Sequence, residues 1–164
     1  AGNVIGGGDW AKDRLIPDIL RSFENNQPVI IRNPHSIRPW QHVLEPLSGY
    51  LLVAQKLYTE GPAFAEGWNF GPNEMDATPV QAIVDTMVNL WGENSSWQLD
   101  GQDHPHEAHY LKLDCSKAKM RMEWHPRWDL NTTLSRIVSW HKAWLAGEDM
   151  RTYTLNEIND YMNS

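Results

Sequence analysis

The chain has 164 residues, of which 41% are hydrophobic and 21% charged, a composition typical of one globular domain or one lobe of a larger protein. A net charge of −7 without any Lys/Arg-rich run argues against a nucleic-acid partner, and no apolar run approaches the length of a membrane span. Cys115 is the single cysteine, which excludes an internal disulfide framework and suits a reducing compartment. We therefore expect a cytoplasmic protein that binds neither nucleic acid nor membrane.

The first part of the chain alternates between segments typical of strands and of helices. Residues 1–5 resemble the end of a buried strand and lead into the loop GGGDW. Because the chain opens inside this strand without Met, we expect it to be part of a longer one. A helix is predicted over 12–26, a strand over 28–32, and a second helix over about 45–58. The predicted apolar face of this second helix consists of Leu47, Tyr50, Leu51 and Ala54.

The middle of the chain contains the helix whose start and end are most clearly marked in the sequence. A brief apolar strand is predicted over GWNFGP, at 67–72, because Gly and Pro bound it. The helix is predicted over 78–92, with Pro79 opening it and Gly92 ending it. Thr78 and Gln81 have the spacing of a capping box at its start.

The last third of the chain predicts two strands followed by two helices. In SSWQLD (95–100) and HYLKLD (109–114) apolar and polar residues alternate, as is typical of strands. The spacing of apolar residues predicts a helix over about 130–146. A polar helix near 154–162 completes the chain. Alternation of strands and helices of this kind indicates an α/β fold with some parallel strand pairing.

Two segments carry groups suited to an anion. The loop GGGDWAKDR places Lys12 and Arg14 just before a helix N-terminus, where free N–H groups favour a negative charge. The same glycines are equally compatible with a simple tight turn. Arg38 lies between Ile37 and the Pro39–Trp40 pair, which predicts a partly enclosed guanidinium with an acid or phosphate partner.

The segment DHPHEAHY carries three histidines, His104, His106 and His109. All three fall in one short stretch without a cysteine or a second ligand pair, so we expect no metal there and keep a zinc-binding domain as a minor alternative. The chain has no Tyr-x-x-x-Lys pair, no GxGxxG fingerprint and no serine-nucleophile elbow. No catalytic residue is therefore assigned within this chain.

Four segments resemble the C-terminal half of the extended short-chain dehydrogenase/reductases that act on nucleotide sugars. They are AGNVIGGGDWAKDRLIPDI, SIRPWQHVLEPLSGYLLVAQKL, WNFGPN and HPHEAHYLKLDCSKAK. The sequences of the first and last of these segments most resemble those of the CDP-glucose 4,6-dehydratases. The resemblance implies that residues 1–164 form the substrate-binding lobe and the last strands of the parallel sheet of a Rossmann-type fold. The NAD-binding part would lie outside this chain.

The resemblance also implies an activity. A complete enzyme of this kind would be a lyase of deoxysugar biosynthesis that converts CDP-glucose to CDP-4-keto-6-deoxyglucose through transient hydride transfer to bound NAD. It would be a homo-oligomer, and the present chain alone is expected to be inactive. A nucleotide-sugar epimerase or a dehydratase for another base is the alternative within the family. From another class, the chain could be a standalone nucleotide- or sugar-binding module.

Seven residues acquire substrate-binding roles through the resemblance. They are Asn3, Arg14, Leu15, Arg38, Asn73, His104 and His106. Arg38 would be the main cation for the diphosphate, and the helix start at Arg14 and Leu15 would contact it through backbone N–H groups. Asn3 would approach the sugar–phosphate end. The two histidines would lie in a loop on the nucleotide side.

Overall fold

A computed structural model of the chain describes residues 1–92, 94–102 and 110–164. Its strands are β1 (Asn3–Ile5), β2 (Val29–Ile31), β3 (Trp40–His42) and β4 (Trp97–Leu99). Its α-helices are α1 (Leu15–Glu24), α2 (Leu44–Glu60), α3 (Val80–Trp91), α4 (Ser116–Met122), α5 (Leu130–Leu145) and α6 (Met150–Met162). Two short 3-10 helices span Gly61–Phe64 and Glu74–Asp76. The predicted α/β class is confirmed.

The strands form two small parallel pairs, β1 with β3 and β2 with β4. In the first pair Asn3 lies opposite Trp40, and in the second Val29 lies opposite Trp97. Residues opposite each other in a parallel pair direct their side chains to the same face of the sheet. The parallel pairing expected from the alternation of elements is thus present.

A single large core joins the strands to the amphipathic helices. The predicted helical stripes of α1, α3 and α5 supply most of it. The fully buried members of these stripes are Ile16, Ile19, Leu20, Phe23, Ile83, Val84, Met87, Leu134, Ile137 and Val138. A second, smaller cluster lies between α2 and α4 around Phe70 and Trp124. No helix within the described ranges is both long and apolar enough to cross a membrane.

The prediction that the apolar face of α2 packs against the core is wrong. Leu47, Tyr50 and Leu51 are 44%, 49% and 73% exposed, while the buried residues of the helix are Glu45, Pro46 and Gly49. Gly49 explains the orientation, because a Cβ there would come within 2.4 Å of the Phe70 ring. The helix approaches the core through its small residues, and its apolar stripe is left facing outward.

The predicted capping box at the start of α3 is also wrong. Pro79 occupies the N-cap position, no side chain among the described residues caps the helix, and Gln81 does not complete a box. The carbonyls of Ser36 and Pro34 instead accept hydrogen bonds from the amides of Val80 and Gln81, at 3.0 and 2.8 Å. Tertiary contacts therefore satisfy the first-turn amides that a side-chain cap would otherwise take.

Other boundaries differ at segments that lack strong periodicity. Within the described residues, 67–72 forms no strand, and the part of 109–114 from Tyr110 onward makes only an isolated bridge with Ile37. Phe70 still accepts a backbone hydrogen bond from Gly2 at 3.3 Å, so this segment runs alongside β1 without regular pairing. Helix α4 and strand β3 were not predicted, since each is too short to show a clear period.

Glu45 is the buried carboxylate that joins α2 to the C-terminal elements. Its side chain is fully buried and accepts hydrogen bonds from the backbone N–H of Arg127 at 3.1 Å and of Trp128 at 2.8 Å. The hydroxyl of Tyr161 in α6 also donates to it at 2.8 Å. Burial raises the pKa of Tyr161, so this hydroxyl stays protonated as a donor. The carboxylate thus ties α2, the segment before α5, and α6 together.

Replacing Glu45 by Ala should destabilise the chain by about 3–5 kcal/mol, because two buried N–H groups and one hydroxyl lose their acceptor. Tyr161→Phe removes a single donor and should lower stability by only about 1–2 kcal/mol. Urea unfolding of both variants measures the difference. Glu60→Ala, on the exposed end of the same helix, is the matched control and should change stability by less than about 0.5 kcal/mol. Equal effects at Glu45 and Glu60 would contradict the role assigned to Glu45.

The exposed stripe of α2 should make the 164-residue chain associate at high concentration, because contiguous apolar surface seeks cover. Leu47→Lys combined with Leu51→Lys should shift the apparent mass toward that of one chain in light scattering. Gln55→Lys, an exposed position on the same helix, is the control for added charge. A wild-type chain that stays monomeric at all concentrations would show that the stripe needs no cover.

Candidate functional site

A cleft of about 720 Å³ lies where β1, the start of α1, β2 and the segment leading into β3 meet. Its volume falls in the range of roughly 300–1,000 Å³ usual for small-ligand sites. The lining residues come from four stretches of the chain. They are Gly2, Asn3, Val4, Ile5, Asp9, Asp13, Arg14, Leu15, Ile16, Pro17, Asp18, Ile30, Ile31, Arg32, Asn33, Ser36, Arg38, Trp40 and Val80. We call this space the first cleft.

Three arginines stand among the described lining residues of the first cleft: Arg14, Arg32 and Arg38. Arg38 is half-buried and donates from Nη1 to the carbonyl of Ile37 at 2.9 Å, which agrees with the enclosed guanidinium predicted from its neighbours. Arg32 is exposed at the end of β2 and was not assigned a role from the sequence. The guanidinium groups give the cleft local donors for an anion in a protein of net charge −7.

Arg14 is engaged by an acid of the same cleft. Its Nη1 atom lies 3.2 Å from Oδ2 of Asp9, and the Arg14 side chain is 64% exposed. Asp18 also lines the cleft, and it pairs with Arg21. An anion that uses the Arg14 guanidinium must therefore compete with Asp9.

The start of α1 offers backbone donors to the same space. Arg14 occupies the N-cap position in an extended conformation, and no side chain within the described residues caps the helix. Leu15 and Ile16 line the cleft, and Pro17 has no N–H to satisfy. Uncapped amides at a helix N-terminus, together with the helix dipole, favour an anionic group.

The glycines of the GGGDW loop serve packing and do not line the cleft. A Cβ on Gly7 would lie 2.4 Å from the Trp140 ring, and one on Gly6 would lie 2.8 Å from Val43. Gly8 also adopts a positive φ of 76°. Of the two interpretations of the loop, the structure supports a tight turn pressed against α5. The residues that line the first cleft resume after these glycines, at Asp9.

Arg21 and Trp10 anchor the remainder of this loop. Arg21 donates from Nη1 to the carbonyl of Trp10 at 3.2 Å and from Nη2 to that of Ala11 at 3.3 Å. The Trp10 ring packs 4.6 Å from that of Trp144 and 5.5 Å from that of His141, centroid to centroid. These contacts hold the segment that carries Asp9 and Arg14 against α1 and α5.

Two residues that line the first cleft carry buried polar groups that the sequence analysis did not single out. Ser36 and Trp40 are 3% and 7% exposed, and both line the cleft. Neither Ser36 Oγ nor Trp40 Nε1 has a hydrogen-bond partner within the described part of the chain. Sequence could have pointed to Trp40 only through its pairing with Asn3, which requires knowledge of the strand register.

Asn73 lies in a second cleft of about 440 Å³, apart from the first. Its Oδ1 accepts a hydrogen bond from Lys119 Nζ at 3.3 Å. Lys112 lines the same cleft, and its pKa is raised by hydrogen bonds to Tyr110 and Glu74. Burial raises the pKa of Cys115, which makes this thiol a poor nucleophile.

The structure thus divides the seven substrate-binding residues predicted from the sequence. Asn3, Arg14, Leu15 and Arg38 come together in the first cleft, and Asn73 does not join them. His104 and His106 lie outside the described residues, as does His109 of the same cluster. No group of three metal-ligating side chains occurs among residues 1–92, 94–102 and 110–164. All seven substrate-binding roles remain predictions.

The fold of the chain is similar to that of solved nucleotide-sugar epimerases and dehydratases. It superposes on UDP-glucuronic acid 4-epimerase from Bacillus cereus, in complex with UDP-glucuronic acid and NAD, with a TM-score of 0.73 and 17% identity. This match covers 87% of the chain and 44% of that structure. The dTDP-glucose 4,6-dehydratase from Bacillus anthracis, in complex with NAD, matches with a TM-score of 0.67 and 17% identity over 86% of the chain and 42% of that structure. The predicted fold is confirmed.

The sequence itself is 74% identical to CDP-glucose 4,6-dehydratase of Salmonella typhimurium over all 164 residues. The chain spans about half the length of that curated relative, 46% of it. No protein-family model matches the chain. The predicted resemblance to the CDP-glucose 4,6-dehydratases is therefore confirmed over the whole of the present chain.

Gly7→Ala should destabilise the chain by about 1–3 kcal/mol, because the new methyl group must displace the Trp140 ring and with it the loop that carries Arg14. Gly101→Ala is the control, since a Cβ there meets nothing within 4 Å. Thermal unfolding of the two variants provides the measurement. If both substitutions have the same effect, the contact between the loop and α5 does not constrain Gly7.

Proposed function

We propose that this chain forms the nucleotide-sugar-binding lobe of a 4,6-dehydratase acting on CDP-glucose. The first cleft is the observation that carries the proposal, because Arg38 and the uncapped start of α1 converge on one space of suitable volume. The 74% identity to a CDP-glucose 4,6-dehydratase favours this substrate and reaction over those of an epimerase. The proposal concerns a complete enzyme of which this chain supplies one wall.

The first cleft is lined by three arginines and three aspartates, so a diphosphate would depend on individual donors within it. Two phosphates bring at least two negative charges into a protein whose own net charge is −7, so affinity must come from local donors. Arg38 can offer two parallel N–H groups, and Leu15 and Ile16 offer backbone amides at a helix start. Asn3 lies on the same cleft wall and supplies an amide for the sugar–phosphate end.

In this proposal the residues of the first cleft bind and orient the substrate, and the groups that transfer protons belong to the part of the enzyme outside this chain. The chain contains neither a Tyr-x-x-x-Lys pair nor a GxGxxG fingerprint, so the NAD-binding residues are expected to lie mainly outside it. NAD, the expected cofactor, would accept and return a hydride at a site outside these 164 residues. The contribution of this lobe is to fix the diphosphate, and through it the position of the glucosyl ring.

We further expect the complete enzyme to be a cytoplasmic homo-oligomer. The lone Cys115 is buried and unpaired with another cysteine, which is compatible with a reducing compartment. Size-exclusion chromatography of the complete enzyme with light scattering would test the oligomeric state.

Arg38→Ala should weaken binding of CDP and of CDP-glucose by about 2–4 kcal/mol, roughly 30- to 900-fold, because the phosphates lose a charge-assisted partner. Arg38→Lys should recover only part of the loss, since an ammonium group cannot form the two-pronged contact. Calorimetric titration measures both. In the complete enzyme, kcat should fall as well, because the diphosphate positions the sugar.

Arg136→Ala is the matched control for the loss of one positive charge. Arg136 pairs with Asp160 at 2.6 Å and is not among the residues that line the first cleft. Its removal should leave CDP binding unchanged. If Arg38→Ala binds CDP as tightly as the wild type, the diphosphate site is not in the first cleft.

A further inference from the structure

Arg32 is an arginine of the first cleft that has no role in the proposed function. Of the other two arginines that line the cleft, Arg14 is paired with Asp9. Arg38 is half-buried and donates to the carbonyl of Ile37. The side chain of Arg32 is exposed, and it has no hydrogen bond or ion pair in the described part of the chain. All the donors of its guanidinium are therefore available to a ligand.

The backbone that carries Arg32 is fixed on both sides. Before it, β2 pairs with β4, and the carbonyl of Ile31 accepts a hydrogen bond from the amide of Asp100 at 2.8 Å. After it, the amide of Ser36 donates to the carbonyl of Asn33 at 3.3 Å and closes a turn. The long side chain of Arg32 is thus attached to a fixed point at the cleft wall.

The alternation of side chains along β2 directs Arg32 away from the core. Val29 and Ile31 are each 3% exposed and belong to the main hydrophobic cluster, whereas Ile30 is 49% exposed. Successive side chains of a strand point to opposite faces, so those of Ile30 and Arg32 share the outer face. Both residues line the first cleft. Because the Arg32 side chain is long, exposed and held by no partner in the described ranges, its guanidinium can turn into the open cleft.

The acids of the cleft leave this guanidinium available to an anion. Two of the three aspartates in the lining are paired with other arginines, Asp9 with Arg14 and Asp18 with Arg21. The third, Asp13, is exposed and forms no ion pair within the described residues. A diphosphate carries more negative charge than one carboxylate, so it is the stronger partner for a cation at this wall.

We propose that Arg32 is a further substrate-binding residue of the first cleft, an inference that rests on the proposed function. Its guanidinium turns onto the diphosphate when the nucleotide binds, and it donates to the phosphate oxygens. Arg38 is half-buried before binding, whereas the exposed Arg32 side chain becomes ordered only with the ligand. The lost side-chain freedom offsets part of the new contact, so Arg32 contributes less to affinity than Arg38 does.

Arg151 provides a matched control. It lies in α6, its side chain is also exposed without a partner among the described residues, and it is not among the residues that line the first cleft. If net charge alone governed affinity, Arg32→Ala and Arg151→Ala would weaken binding equally.

Asp13→Asn tests the same cleft with the opposite sign. It removes a negative charge from the lining and keeps the shape of the side chain. Asn also tolerates the positive φ of 61° that Asp13 adopts, so the backbone need not change.

The experiment is calorimetric titration of the protein and its variants with CDP and with inorganic pyrophosphate, combined with thermal unfolding. Arg32→Ala should weaken both ligands about tenfold, because the phosphates lose a charged donor. Its Tm should not change, since no protein partner is lost. Arg32→Lys should keep part of the affinity, because the charge remains without the fork. Asp13→Asn should strengthen both ligands about twofold to threefold, and Arg151→Ala should bind both as the wild type does.

The outcomes separate this inference from the proposed function. If the wild type binds neither probe, the diphosphate site and the role of Arg32 fail together. If the wild type binds CDP and Arg32→Ala binds it equally well, the role of Arg32 alone is overturned. Equal losses in Arg32→Ala and Arg151→Ala would overturn it as well. Weaker binding of CDP with unchanged binding of pyrophosphate would place Arg32 on the nucleoside and contradict its contact with the diphosphate.

Discussion

A buried carboxylate in the first turn of α2 organises this chain. Glu45 gathers the backbone amides of Arg127 and Trp128 and the hydroxyl of Tyr161, which lie more than 80 residues away in sequence. A charge in such a position is tolerated only when its oxygens are fully hydrogen-bonded. Here the bonds fix α2 relative to α5 and α6. Because β3 leads directly into α2, the same bonds also set the strand that carries Trp40.

The cleft depends on that frame without containing any of its members. Its walls are formed by β1, β2 and the start of α1. Each of these elements also packs into the main hydrophobic core through its apolar residues. Rigid backing of this kind holds polar groups in place before a ligand arrives, so less ordering is needed on binding. Such rigidity suits the role proposed for this lobe, which is to orient the substrate.

Sequence predicted the fold well where periodicity was strong. The stripes of α1 and α3 are largely buried as expected, and so is that of α5 except for Trp144 and Leu145, which are 41% and 50% exposed. The prediction for α2 was wrong because Gly49 and Glu45, which carry no hydrophobic signal, decide its orientation. The resemblance assigned substrate-binding roles to Asn3, Arg14, Leu15 and Arg38, which line one cleft, and to Asn73, which lines another. The unpartnered polar atoms of Ser36 and Trp40 could not be predicted, because a missing hydrogen-bond partner is a property of three-dimensional packing and leaves no pattern in the chain.

The start of α3 is coupled by hydrogen bonds to one wall of the first cleft. The amides of Val80 and Gln81 are bonded to the carbonyls of Ser36 and Pro34, so the turn that follows β2 and the helix move as one piece. Loosening the wall requires opening the first turn of α3. The hydrogen-exchange rates of these two amides therefore report how often this wall of the cleft opens. The measurement needs no added label.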